Sequence, residues 1–143
     1  MSYDLTRFLK AQDEMFVTAL CEIRRGYKQS RWMWFIFPSF KELGTSSSAK
    51  YYGLESFEEA KEYFQNETLK ERLEEVTNEL LNLEFNDPNI IFGAKDTDIE
   101  KLQASMTIFN RVSNEENSIF KKVLDKFYNG EENKAALDII NRA

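Results

Sequence analysis

Along most of the chain the apolar residues recur at helical spacing. Asp4 stands as an N-cap ahead of Leu5, Phe8, Leu9, Phe16, Ala19, Leu20 and Ile23, and Gly26 supplies a stop. Ser56 with Glu59 forms a capping box before Phe57, Ala60 and Phe64. Asn66 then caps a stripe of Leu69, Leu73, Val76 and Leu80, with Glu67, Glu71, Glu74, Glu75 and Glu79 on the solvated face. Asp87 and Pro88 fit an N-cap and first-turn pair for one turn ending at Gly93. Thr97 with Glu100 and Ser113 with Glu116 read as two further capping boxes. They open helices that turn Ile99, Leu102, Met106 and Phe109, then Ile119, Phe120, Val123, Leu124 and Phe127, inward, the second closed near Gly130. Ala136, Leu137 and Ile140 mark a last short helix.

Two stretches break this pattern. In "SRWMWFIFPS", residues 30–39, six apolar residues follow one another, a run that suits a buried strand or a short buried helix. With no second convincing strand to pair with it, a helix or an irregular buried segment is expected. "KELGTSSSAK", residues 41–50, has small residues and no apolar period, and is expected to be a mobile surface loop. The whole therefore predicts an all-α fold, a single helical domain over residues 1–143 with six or seven helices around a buried aromatic segment.

Composition narrows the function classes. At 143 residues the chain is one domain in size, and 42% hydrophobic content excludes disorder. No apolar run approaches the roughly 20 residues of a membrane helix, and no secretory h-region opens the chain, so a cytoplasmic, non-membrane protein is expected. The net charge of −6 argues against a general nucleic-acid coat. The charge is uneven, however: residues 1–50 carry eight Lys and Arg against five Asp and Glu, and the rest eleven against twenty. The basic excess gathers at Arg24, Arg25, Lys28 and Arg31, directly before the aromatic run.

With no histidine in the chain, Ser-His-Asp and Cys-His triads and HExxH metal sites are excluded. The lone Cys21 has no base partner and is expected to be a small packing residue, and neither a metal nor a cofactor is expected. "GTSSSAK" resembles a phosphate loop only superficially, since Ala49 precedes Lys50 where a glycine belongs and Tyr51 replaces the magnesium-binding hydroxyl. The basic and aromatic stretch offers more. An arginine beside an exposed indole can stack a planar ring while its guanidinium forks onto a phosphate or carboxylate. Trp32 and Trp34 would stand about 200° apart on a helix, so one is expected to face inward and the other the basic cluster. A core role alone also explains the run.

The blocks "RFLKAQ", "TALCEIRRGYKQSRWMWFIFP", "LGTSSSAKYYGL", "IFGAKDTDIEKLQASMTIF" and "VLDKFYNG" resemble, in order, the bacterial and fungal family known as domain of unknown function 1810. The resemblance runs from Asp4 to about Leu137. It implies a small, mostly helical, cytoplasmic protein and brings no established activity. The positions matching the family pattern are Gln12, Arg24, Lys28, Ser30, Trp32 and Trp34, then Pro38, Gly44, Ser46, Tyr52 and Gly93, and on the later helix Lys101, Ser105 and Thr107. Two positions depart from it: Arg31 stands where the family carries histidine, and Ser39 where it carries glutamine. Arg31 cannot shuttle a proton near neutral pH, but it can hold an anion.

The leading expectation is a binder of an anionic, ring-bearing metabolite, a nucleotide or an ADP-ribose-like compound. Arg24, Lys28 and Arg31 would meet its phosphates, Trp32 or Trp34 would stack the base, and Ser46 with Lys50 would close over it. Ser30, Tyr52, Lys101 and Ser105 complete the candidate set. Hydrolysis by a carboxylate base stays open, with no carboxylate pair singled out. The alternative is a docking face for an acidic segment of a partner protein, anchored by the same Arg and Trp residues. A homodimer is left open.

Overall fold

The structure is a computed structural model that describes residues 3–93 and 95–142. Among the described residues it has nine α-helices: α1 (Thr6–Arg25), α2 (Met33–Ile36), α3 (Ser47–Tyr52), α4 (Phe57–Gln65), α5 (Glu67–Asn82), α6 (Pro88–Phe92), α7 (Asp96–Ser113), α8 (Ile119–Tyr128) and α9 (Lys134–Arg142). A 3₁₀ turn, Lys41–Leu43, precedes α3. The six helices of nine residues or more are those whose apolar stripes the sequence displays, and the fold is all-α.

One contiguous core joins these elements. α7 packs against α4, α6, α8 and α9, while α5 bridges α1, α4 and α8. A chain of aromatic rings runs through the centre. Phe8 meets Tyr63 edge-on at 5.0 Å, Tyr63 meets Phe109 at 5.3 Å, and Phe109 meets Phe120 at 6.0 Å. Such offset and edge contacts add about 0.5–1.5 kcal/mol each to the burial itself. Leu69, Leu73, Val76 and Leu80 of α5 are all sealed, as their spacing requires.

Several helix ends differ from the sequence reading. Asp4 accepts the Thr6 N–H at 3.0 Å but stands one residue ahead of the N-cap, which is Leu5. In the Ser56 box the reciprocal bond shifts by one residue, because Glu59 accepts the Glu55 N–H at 2.6 Å instead of that of Ser56. The Thr97–Glu100 box does not form: α7 already begins at Asp96, so Thr97 lies inside its first turn. Nor does the Ser113–Glu116 box. Ser113 closes α7, Asn114 turns the chain with φ 52°, and Ser118 caps α8 by accepting the Lys121 N–H at 3.1 Å. Cys21 is exposed on α1 and fills no core position.

Residues 41–50 are not a loose loop. A parallel bridge ties Phe40 to Leu54, with Lys41 N–H on the Leu54 carbonyl at 2.8 Å and Leu54 N–H on the Ser39 carbonyl at 2.9 Å. Ser46 caps α3, and Gly53 lets the two arms touch, since a Cβ there would collide with the Lys41 backbone. Small residues here serve close backbone packing, which carries no apolar period.

α5 ends without a glycine, and a side chain from another helix satisfies its last carbonyls. The Lys126 ammonium of α8 donates to the carbonyls of Leu80 (3.2 Å), Leu81 (2.9 Å) and Leu83. Hydrogen bonds to a charged group contribute about 1.5–3 kcal/mol, so Lys126→Met should destabilise the fold by about that amount in urea melts. Leu73→Ala should cost about 2–5 kcal/mol and Phe120→Ala about 3–5 kcal/mol as core truncations. Parent-like melts for these two would show that the helix faces are misassigned.

Candidate functional site

The basic and aromatic stretch is organised by a residue of α1. Gly26, at φ 78°, ends that helix, with Tyr27 N–H on the Glu22 carbonyl (3.1 Å) and Gly26 N–H on that of Ile23 (2.9 Å). The reversal carries residues 29–32 past the buried Glu22 carboxylate. Gln29 N–H (2.7 Å), Ser30 N–H (2.9 Å) and the Trp32 indole N–H (2.8 Å) donate to Oε1, and the Ser30 hydroxyl (2.6 Å) donates to Oε2. Burial pushes this carboxyl up, but the four donors outweigh it and hold it at about 2. Lys28 is also turned to internal use. Its ammonium pairs with Asp98 of α7 at 3.2 Å and lies 5.3 Å over the Trp32 ring.

Trp32 is therefore the inward indole, fully sealed, while Trp34 is half-buried. Arg24 pairs with Glu79 of α5 at 3.2 Å. Arg31 is exposed and makes no ion pair among the described residues. Tyr52 is half-buried, its ring 5.1 Å from Phe35 and 4.8 Å from Tyr51, and burial raises its hydroxyl. The expected wall of Arg24, Lys28 and Arg31 around an indole is thus not gathered in one cavity. Lys28, Ser30 and Trp32 face the interior, and Arg24 is engaged with α5.

A cleft of about 540 Å³ lies elsewhere, between the start of α1 and the 39–54 lobe. Arg7 forms its floor, bonded to Glu59 (3.0 Å) and to the carbonyls of Asp4 (2.7 Å) and Gly53 (3.0 Å). Lys41 pairs with Glu55 at 3.0 Å. Asp4 is occupied with the Thr6 amide, so all three carboxylates lining the cleft are engaged. Lys10 and Lys50 also line it and pair with no carboxylate among the described residues, and the Tyr51 ring, 63% exposed, stands beside them. Lys50 alone of the sequence candidates falls here, with Ser46 capping the helix that carries it.

Lys101 and Ser105 lie one turn apart on α7. Lys101 lines a smaller pocket of about 160 Å³, and Ser105 is sealed with its hydroxyl unpaired. Among the described residues no group of three or more Cys, Asp or Glu is placed to hold a metal ion, and no helix is long and apolar enough to cross a membrane.

The family model for proteins of unknown function DUF1810 matches residues 2–140. The chain belongs to the DUF1810 family. Its fold is similar to the crystal structure of the conserved hypothetical protein Rv1873 from Mycobacterium tuberculosis, at 37% identity over 97% of each chain, with a TM-score of 0.90. No curated protein matches the chain. Several positions of the DUF1810 pattern hold the fold. Gln12 is buried and donates to the Phe35 carbonyl (2.8 Å) and the Tyr63 hydroxyl (3.0 Å), and Thr107 donates to the Gln103 carbonyl (2.8 Å) while accepting the Asn133 N–H (2.9 Å).

Sequence reasoning missed Glu22 and read Glu59 only as half of a capping box; both are sealed polar residues on otherwise apolar helix faces. The signal for Glu22 was its place beside Ile23 on the stripe that holds Ala19. Lys10 and Tyr51 carried no signal, because their cleft is formed by segments distant in sequence.

Glu22 has a measurable pH signature. Its value lies below the unfolded carboxyl's 4.5, so its contribution is complete above about pH 4.5 and is lost as pH falls toward 2. A depression of this size corresponds to roughly 3 kcal/mol. Glu22→Gln should therefore be roughly 3 kcal/mol less stable at pH 7, with the gap to the parent narrowing between pH 4.5 and 2 in urea unfolding. A pH-independent gap would mean that Glu22 is not ionised in the fold.

Proposed function

We propose that the protein binds an anionic, ring-bearing small molecule of nucleotide or ADP-ribose type in the cleft between α1 and the 39–54 lobe. The observation that carries this reading is a pair of lysines, Lys10 and Lys50, without carboxylate partners among the described residues, beside the exposed Tyr51 ring. The volume of about 540 Å³ falls within the range of small-molecule pockets. Lys10 and Lys50 would meet phosphate oxygens, Tyr51 would stack the ring, and the Arg7–Glu59 pair would hold the floor in place. The cleft replaces the Arg24–Lys28–Arg31 wall as the proposed binding surface, while the ligand class stays the same. We place this binding in the reducing cytoplasm, consistent with a single unpaired cysteine.

Calorimetric titration with AMP, ADP and ADP-ribose tests the reading. At least one should bind, with Lys10→Ala and Lys50→Ala each weakening it by roughly tenfold and Tyr51→Ala by a few-fold. A nucleotide at 100 times its Kd should also raise stability by about 2.7 kcal/mol. No binding by any of the three, or unchanged affinity in both lysine variants, would refute it. If an acidic peptide bound and nucleotides did not, this surface would instead be a protein-docking face.

A further inference from the structure

The smaller pocket, about 160 Å³, is walled by the first half of α7, by Ser39 and by the start of α9. Thr97, Lys101 and Ala104 stand on one face of α7 at spacings of four and three, and Asn133 faces them from the α9 end. Lys101 is half-buried and makes neither an ion pair nor a hydrogen bond among the described residues. Withdrawing an ammonium from water without a counter-charge is unfavourable, so a lysine in this position is normally paired. Asp98, whose charge bears on it, is committed to Lys28 at 3.2 Å. Glu100 also lines the pocket but does not pair with Lys101. One turn along α7 the sealed Ser105 hydroxyl has no partner either, and the Ser39 hydroxyl makes no hydrogen bond among the described residues.

We propose that this pocket is a second binding site, separate from the nucleotide cleft, and that it takes a small organic carboxylate. The carboxylate would pair with the Lys101 ammonium and accept from the Ser39 hydroxyl. The volume favours a small acid, since it lies below the roughly 300 Å³ at which drug-sized ligands begin. Burial lowers the Lys101 amine below the ordinary lysine value, with Asp98 only partly opposing it. A bound carboxylate would raise it again, because an opposite charge favours the protonated form.

The test is an amide-detected NMR titration of the full chain with acetate and with glycolate. At least one should give saturable shifts confined to Ser39, Thr97, Lys101, Ala104 and Asn133. Lys101→Met, which keeps the aliphatic stem, should weaken that binding by roughly tenfold or more. Thr97→Glu provides a variant that does not threaten folding. A glutamate in the first turn and four residues before Lys101 is favourable to the helix, and it would neutralise the ammonium internally. It too should abolish the shifts while the melting temperature holds or rises. Absence of saturable shifts with either acid at tens of millimolar would overturn the proposal. So would affinity unchanged in both variants, or shifts confined to Lys10 and Lys50. AMP binding to Lys101→Met distinguishes this site from the cleft, because nucleotide affinity should be unaffected there.

Discussion

The buried carboxylate of Glu22 is the interaction on which the first third of the molecule depends. An ionised acid withdrawn from water is costly unless its oxygens are satisfied, and here all the donors come from residues 29–32. The chain leaving α1 is therefore obliged to fold back at Gly26 and pass the end of the helix it has just completed. That return seats Trp32 in the core as the N-cap of α2. Gln12, nearly three turns earlier on α1, holds the Phe35 carbonyl and so fixes the far end of the same segment. Two polar side chains on the apolar face of one helix thus set the path of the most aromatic stretch in the chain. An isosteric amide at Glu22 would present its own N–H groups to donors, which is why charge and geometry cannot be separated at this position.

The same interaction explains why the sequence pointed to a ligand wall that the fold does not assemble. Arg24, Lys28 and Arg31 are close in sequence, but the reversal at Gly26 sends them in different directions. Lys28 goes to Asp98 and the exposed Arg24 to Glu79, and of the three Arg31 alone makes no ion pair among the described residues. A local excess of basic residues says nothing of the acids that distant helices bring to meet them. The glutamates of α5 show the converse. Read as a solvated face, they do include exposed positions, yet Glu79 is half-buried and paired with Arg24.

What was legible in the sequence follows from the range of the forces involved. The apolar stripes of α1, α5 and α8 recur every three to four residues, because burial against a neighbour acts on each helix by itself. The caps at Ser56, Asn66 and Asp87 were legible for the same local reason. The boxes at Thr97 and Ser113 match the same motif and fail, since α7 extends one residue before the first and through the second. Residues 39–54 were opaque because their order comes from backbone contact: the Phe40–Leu54 bridge and the close approach at Gly53 leave no periodic mark. The cleft and the smaller pocket were opaque as sites, because each draws its walls from segments far apart in the chain.

The 39–54 lobe has a position that its composition conceals. Lys41, Lys50 and Tyr51 line the larger cleft, while Ser39 and Leu43, from the same short stretch, line the smaller pocket. Both cavities therefore take a wall from one element whose shape is held by a single bridge and by the absence of a side chain at Gly53. A loose loop at this place would leave Lys50 and Ser39 to sample many positions, and each would forfeit the entropy of ordering on every binding event. Stitching the lobe together during folding settles that cost beforehand. The small residues that suggested mobility are then what makes the lobe rigid enough to present fixed charges and hydroxyls on its two sides.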